Sequence, residues 1–366
     1  REIAALREAG GNRLELCVKG YLSGGHKNSA YRNHDIFLAP SRWESFGLTV
    51  LEAMAHGMRV VAASSDGVSG VLPPGHPYLA PTGDSATLLE KLYECCDDLR
   101  ANRYPDQGQT LRALFLNLYL IQSFSDQIRD AIAILGDTSA TTKTKETAIH
   151  ARSEGLPIRS GGDPISIRVY LADQNPGHDR SFGISRMSQV VLDSLRSTGE
   201  IEVSAVVSKT SQQAPDGVNT IHTLPWGTRR KAVRLLTDHL HPLFTWDAEE
   251  PALHYFPKGY LPIFSSLCRP SVVTIHDTII QYDEDHYPEW RKPREYAYWA
   301  MMLKHTLRSA DRILTVSESS KRQITEFMGR HHIPGKEITV TYEPCLYERL
   351  PQPEIPAKEN YVINLA

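Results

Sequence analysis

The chain has few cysteines and no long run of apolar residues, and these absences exclude several classes of protein. Its 366 residues include five cysteines, which are scattered and form no Cys-x-x-Cys pair. An odd, scattered set of this kind predicts neither a disulfide framework nor a zinc site. The longest mostly apolar stretch, Ala113–Ile121, is far shorter than the roughly 20 residues that a membrane span needs. The sequence therefore predicts no membrane-spanning helix.

The chain also lacks an excess of charge of either sign. It has 40 Lys and Arg residues against 43 Asp and Glu residues, a formal net charge of −3. This balance argues against a nucleic-acid-binding protein, which usually carries a strongly basic surface. The length is too great for one average core, and the 41% of hydrophobic residues is enough for two folded domains.

The two ends of the chain are abrupt. The chain opens at Arg1 inside a stretch that reads as a helix, without an initiator Met or a signal peptide, and it closes where Tyr361–Leu365 begins a strand. We expect from these features a piece of a longer polypeptide. The absence of an Asn-x-Ser/Thr glycosylation acceptor favours a cytoplasmic location, with peripheral attachment to the inner face of the plasma membrane as the alternative.

Buried strands alternate with helices in two parts of the chain. The apolar segments Asp35–Ala39, Arg59–Ala63 and Ser271–Ile275 read as strands of parallel sheets that are covered on both faces. Residues 137–164 are rich in Thr, Ser, Gly and Lys and have no hydrophobic period, which predicts a flexible linker. The pattern therefore predicts an α/β fold with two lobes, one at 1–136 and one at 165–366.

The most informative segment is Pro40–Gly57, PSRWESFGLTVLEAMAHG, which follows a buried strand and opens a helix. Ligands of open α/β sheets bind beyond the carboxyl ends of the strands. The helix is predicted to begin near Phe46, Gly47 and Leu48, so its unpaired N–H groups predict an anion site. Gly47 would let a phosphate or sugar oxygen approach the backbone closely.

Two glutamates flank the start of this helix. Glu44 lies just before the helix and Glu52 lies within it, at most about 12 Å further along the axis. The two carboxyl groups of a glycosidase must instead stand roughly 5 to 9.5 Å apart across one bond. The spacing therefore favours two carboxylates at two ends of an extended ligand, each accepting a sugar or ribose hydroxyl.

The string ESFGLTVLEAMAHG resembles the E-x7-E signature of retaining glycosyltransferases of family 4, which have the GT-B fold. The flanking DIFLAPS and RVVAASSDGVSGVL resemble the nucleotide-sugar lobe of that family. The resemblance implies that Glu44 is catalytic at the transferred sugar and that Glu52 binds the ribose of the nucleotide. The other donor-binding residues that it implies are Ser45, Phe46, Gly47 and Leu48.

The chain departs from the family pattern in one visible place. Family members usually carry a further Glu after the turn that follows the next strand, and Gly70 falls near that position here. The Arg and Lys residues that usually hold the pyrophosphate would lie upstream of Arg1.

The second half resembles the other, acceptor-binding lobe of the same fold. The matching pieces are GISR at 183–186, VVTIHDT at 272–278 and SADRILTVSESSKRQI at 309–324. The resemblance implies that Gly183 borders the donor phosphates. It also implies that His276 lies in the cleft as a second catalytic residue, with Asp277 on the acceptor side.

The expected fold is thus a pair of Rossmann-like lobes in which an incomplete nucleotide lobe precedes an acceptor lobe. This order is the reverse of the family's. We interpret it as a cut through a tandem enzyme: the end of one transferase, a linker, and the start of the next module, whose nucleotide lobe would begin at residues 360–366. We expect accordingly that the two lobes do not close on each other as one cleft. The alternative is a permuted transferase with a single cleft.

The resemblance implies retaining sugar transfer from a nucleotide sugar to a glycan or lipid-linked acceptor, in surface polysaccharide or lipopolysaccharide synthesis. The enzyme would be a hexosyltransferase, with mannose as one candidate sugar. The family needs no cofactor and no metal, because basic residues and helix ends neutralise the phosphates. Membrane contact is a further candidate and nucleic acid is not expected. The alternatives are a non-catalytic nucleotide-sugar or carbohydrate-binding module and a GT-B phosphorylase or epimerase.

A basic run precedes a helical segment in the second half. Arg229–Lys231 and Arg234 lie close in sequence to Trp226. This pattern is interpreted as a solvated helix start, with contact to anionic lipid as the alternative.

Overall fold

The fold is that of a computed structural model, which describes residues 22, 24–136, 165–172, 182–196, 201–209, 218–245, 251–290, 292–344 and 362–363. Its elements up to residue 136 are α1 (Gly24–Arg32), β1 (Ile36–Ala39), α2 (Leu48–Ala55), β2 (Arg59–Ala63), α3 (Asp66–Val71), β3 (Leu79–Ala80), α4 (Ser85–Arg100), α5 (Gln107–Leu118) and α6 (Ile121–Gly136).

The later elements continue the alternation of strand and helix. They are β4 (Ile165–Tyr170), α7 (Phe182–Arg196), β5 (Ile201–Ser208), β6 (Thr220–Leu224), α8 (Lys231–Leu240), β7 (Leu253–Phe256), β8 (Ser271–Ile275), α9 (Ile279–His286), α10 (Pro293–Ser309), β9 (Arg312–Thr315), α11 (Glu318–Arg330), β10 (Ile338–Val340) and β11 (Val362–Ile363). Short 3-10 helices lie at His241–Phe244, Ser265–Leu267 and Pro288–Trp290.

Two parallel sheets organise these elements, as the sequence predicts. The first has the strand order β11-β1-β2-β3 and the second the order β10-β9-β8-β7-β4-β5-β6. Every residue of β2 and of β8 is buried, because helices cover both faces of each sheet. In the second sheet the strand order reverses between β4 and β7, and ligands of such sheets bind in the crevice at that point.

Several element bounds match the sequence prediction and others do not. The strands at 59–63 and 271–275 have the predicted bounds. Residues 107–136 form two helices, because the first helix ends at Leu118 and Tyr119 is buried in the core with 3% of its surface exposed. The strand β7 was not predicted, since it has only four residues and one of them is His254.

The expectation that the two lobes do not close on each other is wrong for the described residues. Strand β11 pairs in parallel with β1, so Val362 lies opposite Ile36 in the first sheet. Conversely, helix α6 lies in the first half of the chain, yet its residues Phe124 and Ile128 are buried in the core of the second sheet. Each half of the chain therefore contributes to the core of the other, while the choice between a tandem cut and a permuted transferase stays a prediction.

Some predicted features fall on residues that the structure does not describe. The helix expected at the start of the chain and the linker at 137–164 lie outside the described residues. The lobe limits at 136 and 165 stay predictions. Within the described ranges, none of the helices is both long enough and apolar enough to cross a membrane.

Two buried histidines in the second lobe make the stability of the fold depend on pH. The ring of His241 stacks on Tyr170, with ring centroids 3.9 Å apart and an interplanar angle of 19°. Burial lowers the pKa of His241 to about 3 and that of His254 to about 4. The unfolded chain binds protons at these rings near pH ~6.5, so acid favours unfolding.

We expect the melting temperature of the full chain to fall steeply as the pH is lowered from about 6.5 to about 4. In the variant His241→Phe, which keeps a ring on Tyr170 but cannot bind a proton, the slope should be shallower. Differential scanning calorimetry across this pH range measures it, with the exposed His26→Gln as the control. Parallel slopes in the wild type and His241→Phe would contradict the assignment.

Candidate active site

The segment between β1 and α2 builds the first side of the candidate site. β1 ends at Ala39, and α2 begins at Leu48 without a hydrogen bond from a capping side chain. Gly47 at the helix start has φ 82° and ψ 48°, a left-handed conformation that favours glycine. Its carbonyl accepts hydrogen bonds from the N–H groups of Val50 at 3.0 Å and Leu51 at 3.1 Å. The chain thus turns sharply into a helix whose first N–H groups lack a side-chain cap, as the predicted anion site requires.

Gly67 holds this loop from the side of β2. Its N–H donates to the carbonyl of Glu44 at 3.1 Å. A Cβ atom at Gly67 would lie 2.3 Å from that carbonyl oxygen and 2.8 Å from the Phe46 nitrogen. Both distances are too short for a Cβ atom, so only glycine fits at this position without a shift of the loop. Gly70, which the sequence analysis placed near the position of the family's further Glu, lies in open space, since a Cβ there meets no atom within 4 Å.

Glu44 is half-buried within the loop. Burial raises the pKa of its carboxyl group above the ordinary value, and a hydrogen bond with Ser41 partly offsets this rise. Carboxyl groups with perturbed pKa values cluster at functional sites. The structure therefore places Glu44 in an environment that suits the predicted role without testing that role.

Glu52 is buried on α2, with 8% of its surface exposed, and it has two partners on α1. The hydroxyl of Tyr31 donates to Glu52 Oε2 at 2.7 Å, and Lys27 Nζ lies 2.5 Å from the same oxygen. Tyr31 is itself buried and stacks on His56 with ring centroids 4.9 Å apart. These contacts fix the carboxylate against rotation. The sequence analysis did not single out Lys27 and Tyr31, because no local motif marks either residue as a partner of Glu52.

His276 and Asp277 follow β8 on the second side of the candidate site. His276 Nε2 lies 2.7 Å from the carbonyl oxygen of Pro257. A carbonyl oxygen only accepts, so Nε2 must carry a proton, and in the neutral ring Nδ1 is then the acceptor. Asp277 Oδ1 accepts from the N–H of Ile279 at 3.1 Å, so this side chain helps to cap the start of α9. Gly183 lies in the first turn of α7.

Two serines at the start of α11 connect the two sides. The hydroxyl of Ser317 donates to the carbonyl of Ser45 at 2.8 Å. The hydroxyl of Ser320 donates to the carbonyl of His276 at 2.8 Å. The N–H of Ser320 donates to Ser317 Oγ at 3.0 Å, which joins the two links. Ser45 and His276, predicted from distant parts of the sequence, therefore lie on either side of one short helix turn.

Aromatic rings stabilise the same interface. Phe46, Tyr119 and Tyr342 form a triangle with ring-centroid distances of 5.6 to 6.3 Å. Burial raises the pKa of Tyr119 to about 12, so its hydroxyl stays neutral. Trp43 contacts Tyr282 of α9 with ring centroids 6.0 Å apart. The predicted donor loop is thus enclosed by side chains from both halves of the chain.

No group of three or more His, Cys, Asp or Glu side chains that could hold a metal ion occurs in the part of the chain that the structure describes. The expected independence of metal and of cofactor remains a prediction, as do the roles of the individual site residues.

Comparison with known families identifies the class of this fold and site. The family model described as glycosyl transferases group 1 matches residues 2–98. The model described as glycosyltransferase family 4 matches residues 183–344. The chain therefore belongs to the GT-B glycosyltransferases of family 4.

Curated relatives match shorter stretches. The chain is 36% identical over 104 residues to a phosphatidyl-myo-inositol mannosyltransferase of Mycobacterium leprae, covering 28% of each chain. It is 44% identical over 77 residues to the sulfoquinovosyl transferase SQD2 of Arabidopsis thaliana, covering 20% of this chain and 15% of the relative. It is 61% identical over 41 residues to the lipopolysaccharide core biosynthesis mannosyltransferase LpsB of Rhizobium meliloti, covering 11% and 12%. The matches thus span less than a third of each relative.

The packing of Gly67 against the loop predicts a clear difference between two glycines of α3. Gly67→Ala should lower the free energy of unfolding by about 1–3 kcal/mol, since the added methyl group overlaps the Glu44 carbonyl. Gly70→Ala, in open space on the same helix, should leave it unchanged or raise it by up to about 1 kcal/mol. Urea unfolding followed by circular dichroism measures both. Equal effects of the two substitutions would show that the loop does not depend on this contact.

Proposed function

We propose that this chain takes part in retaining transfer of a hexose from a nucleotide sugar to a glycan or lipid-linked acceptor, in glycolipid or surface polysaccharide synthesis. The observation that carries the proposal is the link from Ser45 through Ser317 and Ser320 to His276. It joins the predicted donor loop of one sheet to the predicted acceptor side of the other. The relatives, two mannosyltransferases and a sulfoquinovosyl transferase, support the same class of reaction.

Each side of the interface between the two sheets has a role in the proposed reaction. The uncapped start of α2 would accept the negative charge that develops on the leaving nucleotide. Glu52, held in place by Lys27 and Tyr31, would accept hydrogen bonds from the ribose. Glu44 would lie at the transferred sugar, where a carboxylate stabilises positive charge on an oxocarbenium-like ring.

His276 would act on the acceptor side of the same reaction. Because Nε2 donates to the Pro257 carbonyl, Nδ1 is the ring atom that can exchange a proton with an acceptor hydroxyl. Gly183, in the first turn of α7, would border the donor phosphates. We propose mannose as the first sugar to test and peripheral contact with a membrane as the setting, since the M. leprae relative is named for a lipid acceptor.

The proposed ribose contact is tested by Glu52→Gln, with Glu90→Gln on the exposed face of α4 as the matched control. Losing a charge-assisted hydrogen bond should weaken nucleotide-sugar binding by about 1.5–3 kcal/mol. Isothermal calorimetry with UDP-hexoses and GDP-hexoses measures the affinity, and thermal unfolding verifies that the variant folds. An unchanged affinity in a folded Glu52→Gln protein would remove Glu52 from the donor site.

The chemistry of transfer is tested with GDP-mannose and other nucleotide hexoses and a phosphatidylinositol or oligosaccharide acceptor. We expect a product whose new linkage keeps the anomeric configuration of the donor, as seen by NMR, and a rate that survives excess EDTA. An inverted linkage would contradict retention. A rate that EDTA abolishes and Mg²⁺ restores would contradict phosphate neutralisation by the chain alone. Donor binding without any transfer would favour the binding-module alternative.

A further inference from the structure

Four aromatic rings are in contact where the predicted donor loop meets helix α9. The ring centroid of Trp43, in that loop, lies 6.0 Å from that of Tyr282 on α9. Tyr282 stacks on His286 at 4.1 Å with an interplanar angle of 23°, and Tyr287 lies 6.4 Å from Tyr282. Trp43, Tyr282 and Tyr287 are half-buried and His286 is exposed, so part of the ring surface stays accessible. We name these four residues the aromatic cluster.

Trp43 carries a polar group that lacks a partner. Its indole Nε1 is buried, and among the described residues no atom accepts a hydrogen bond from it. An indole N–H can only donate, and a buried donor without an acceptor destabilises the folded state. Trp226 shows the usual arrangement, since its Nε1 donates to Thr237 Oγ1 at 2.7 Å. An acceptor atom supplied by a ligand would satisfy the Trp43 donor.

The aromatic cluster lies beside the proposed point of transfer. Trp43 directly precedes Glu44, which the proposed function places at the transferred sugar. Tyr282 lies on α9, at whose start the N–H of Ile279 donates to Asp277 Oδ1 at 3.1 Å. Asp277 is the predicted acceptor-side residue, whereas the proposed ribose contact faces α1. A ligand on the cluster is therefore expected to approach Glu44 from the acceptor side.

Helix α9 holds its part of the cluster in a fixed position. The hydroxyl of Tyr296 on α10 donates to Gln281 Oε1 at 2.8 Å, and Gln281 is itself buried. At the other end of α9, Arg330 Nη1 of α11 lies 2.9 and 2.8 Å from the two carboxylate oxygens of Asp285. Rings on a helix that is anchored in this way lose little freedom when a ligand packs on them.

The charges around Tyr282 are of both signs. Burial raises the pKa of Tyr282, and Tyr287 and Asp283 add to this rise while Arg42 opposes it. Balanced charge of this kind favours a neutral ligand over an anionic one. The negative faces of aromatic rings attract groups with a positive edge, such as the C–H groups of a saturated ring. A neutral ring with C–H groups on its faces and hydroxyl oxygens on its rim matches both the cluster and the unpaired N–H.

We propose that the aromatic cluster is a subsite for a pyranose ring of the acceptor. The C–H face of the sugar packs on Trp43 and Tyr282, and a sugar hydroxyl accepts a hydrogen bond from Trp43 Nε1. The two rings must part slightly to admit this hydroxyl, and the unpaired donor favours the movement because it gains an acceptor. The inference rests on the proposed function for the role of the sugar as acceptor. Binding of the sugar itself needs no donor.

The experiment is saturation-transfer-difference NMR of the full chain with methyl α-D-mannopyranoside and methyl α-D-glucopyranoside. Mannitol, an open-chain polyol without a ring face, is the control ligand. We expect saturable binding of at least one pyranoside, with the strongest signals from C–H protons of one face of its ring. Trp43→Phe, which keeps a ring but removes the N–H, and Tyr282→Leu should each weaken binding by about threefold to tenfold. The matched control is Tyr93→Leu on α4, where the tyrosine is 63% exposed.

Three outcomes would overturn the proposal. They are absence of binding of both pyranosides to the folded wild type, equal binding of mannitol, and equal loss in the cluster variants and Tyr93→Leu. A purely structural role of the cluster would also overturn it, and would appear as a lower melting temperature in Trp43→Phe and Tyr282→Leu with unchanged affinity for the pyranoside.

Calorimetry of the same variants with GDP-mannose separates this inference from the proposed function. We expect the affinity for the donor to stay within about twofold of the wild type, while in transfer assays the KM for the acceptor rises. Pyranoside binding without any donor binding would contradict the proposed function and leave the sugar subsite in place. Donor binding and transfer with full acceptor affinity in Trp43→Phe and Tyr282→Leu would remove the subsite alone.

Discussion

The geometry of the candidate site depends on one constraint, the clamping of the Glu44–Gly47 loop between two parts of the chain. On one side the loop touches Gly67 so closely that no Cβ atom fits. On the other side it is bonded to Ser317. A hydrogen bond of this kind contributes only about 0.5–1.5 kcal/mol. Burial of the Phe46 ring contributes about 1.5–3 kcal/mol, so packing stabilises the loop and the hydrogen bonds set its direction.

The same constraint explains why the two halves of the chain share their cores. If the loop rested on its own sheet alone, the position of Ser45 relative to His276 would vary with every movement between lobes. Helix α6 and strand β11 each cross to the other half, and Tyr342 donates its N–H to Gln127 Oε1 of α6 at 2.9 Å. These crossings fix the two sheets at their interface, where the proposed function requires a donor and an acceptor to meet within bonding distance.

The sequence was sufficient to predict the two parallel sheets, because uninterrupted apolar runs such as Arg59–Ala63 have few other structures available. It also placed Glu44 and Glu52 on a loop and on the helix that follows it. It could not show that Tyr31 and Lys27 hold Glu52, because contacts between residues more than twenty positions apart leave no local pattern. The interface between the lobes was predicted wrongly for a related reason. Chain order and the composition of a linker say nothing about which strand completes which sheet.

The contacts around Pro257 connect helix α8 of the second lobe to the interface between the two sheets. Asp238 of the amphipathic helix α8 is paired with Lys258, and the neighbouring residue Pro257 supplies the carbonyl that fixes the His276 ring. The loop after β7 therefore lies between helix α8 and the predicted catalytic histidine. Because His276 Nε2 must donate to that carbonyl, a shift of the loop would move the imidazole and its free acceptor Nδ1 together.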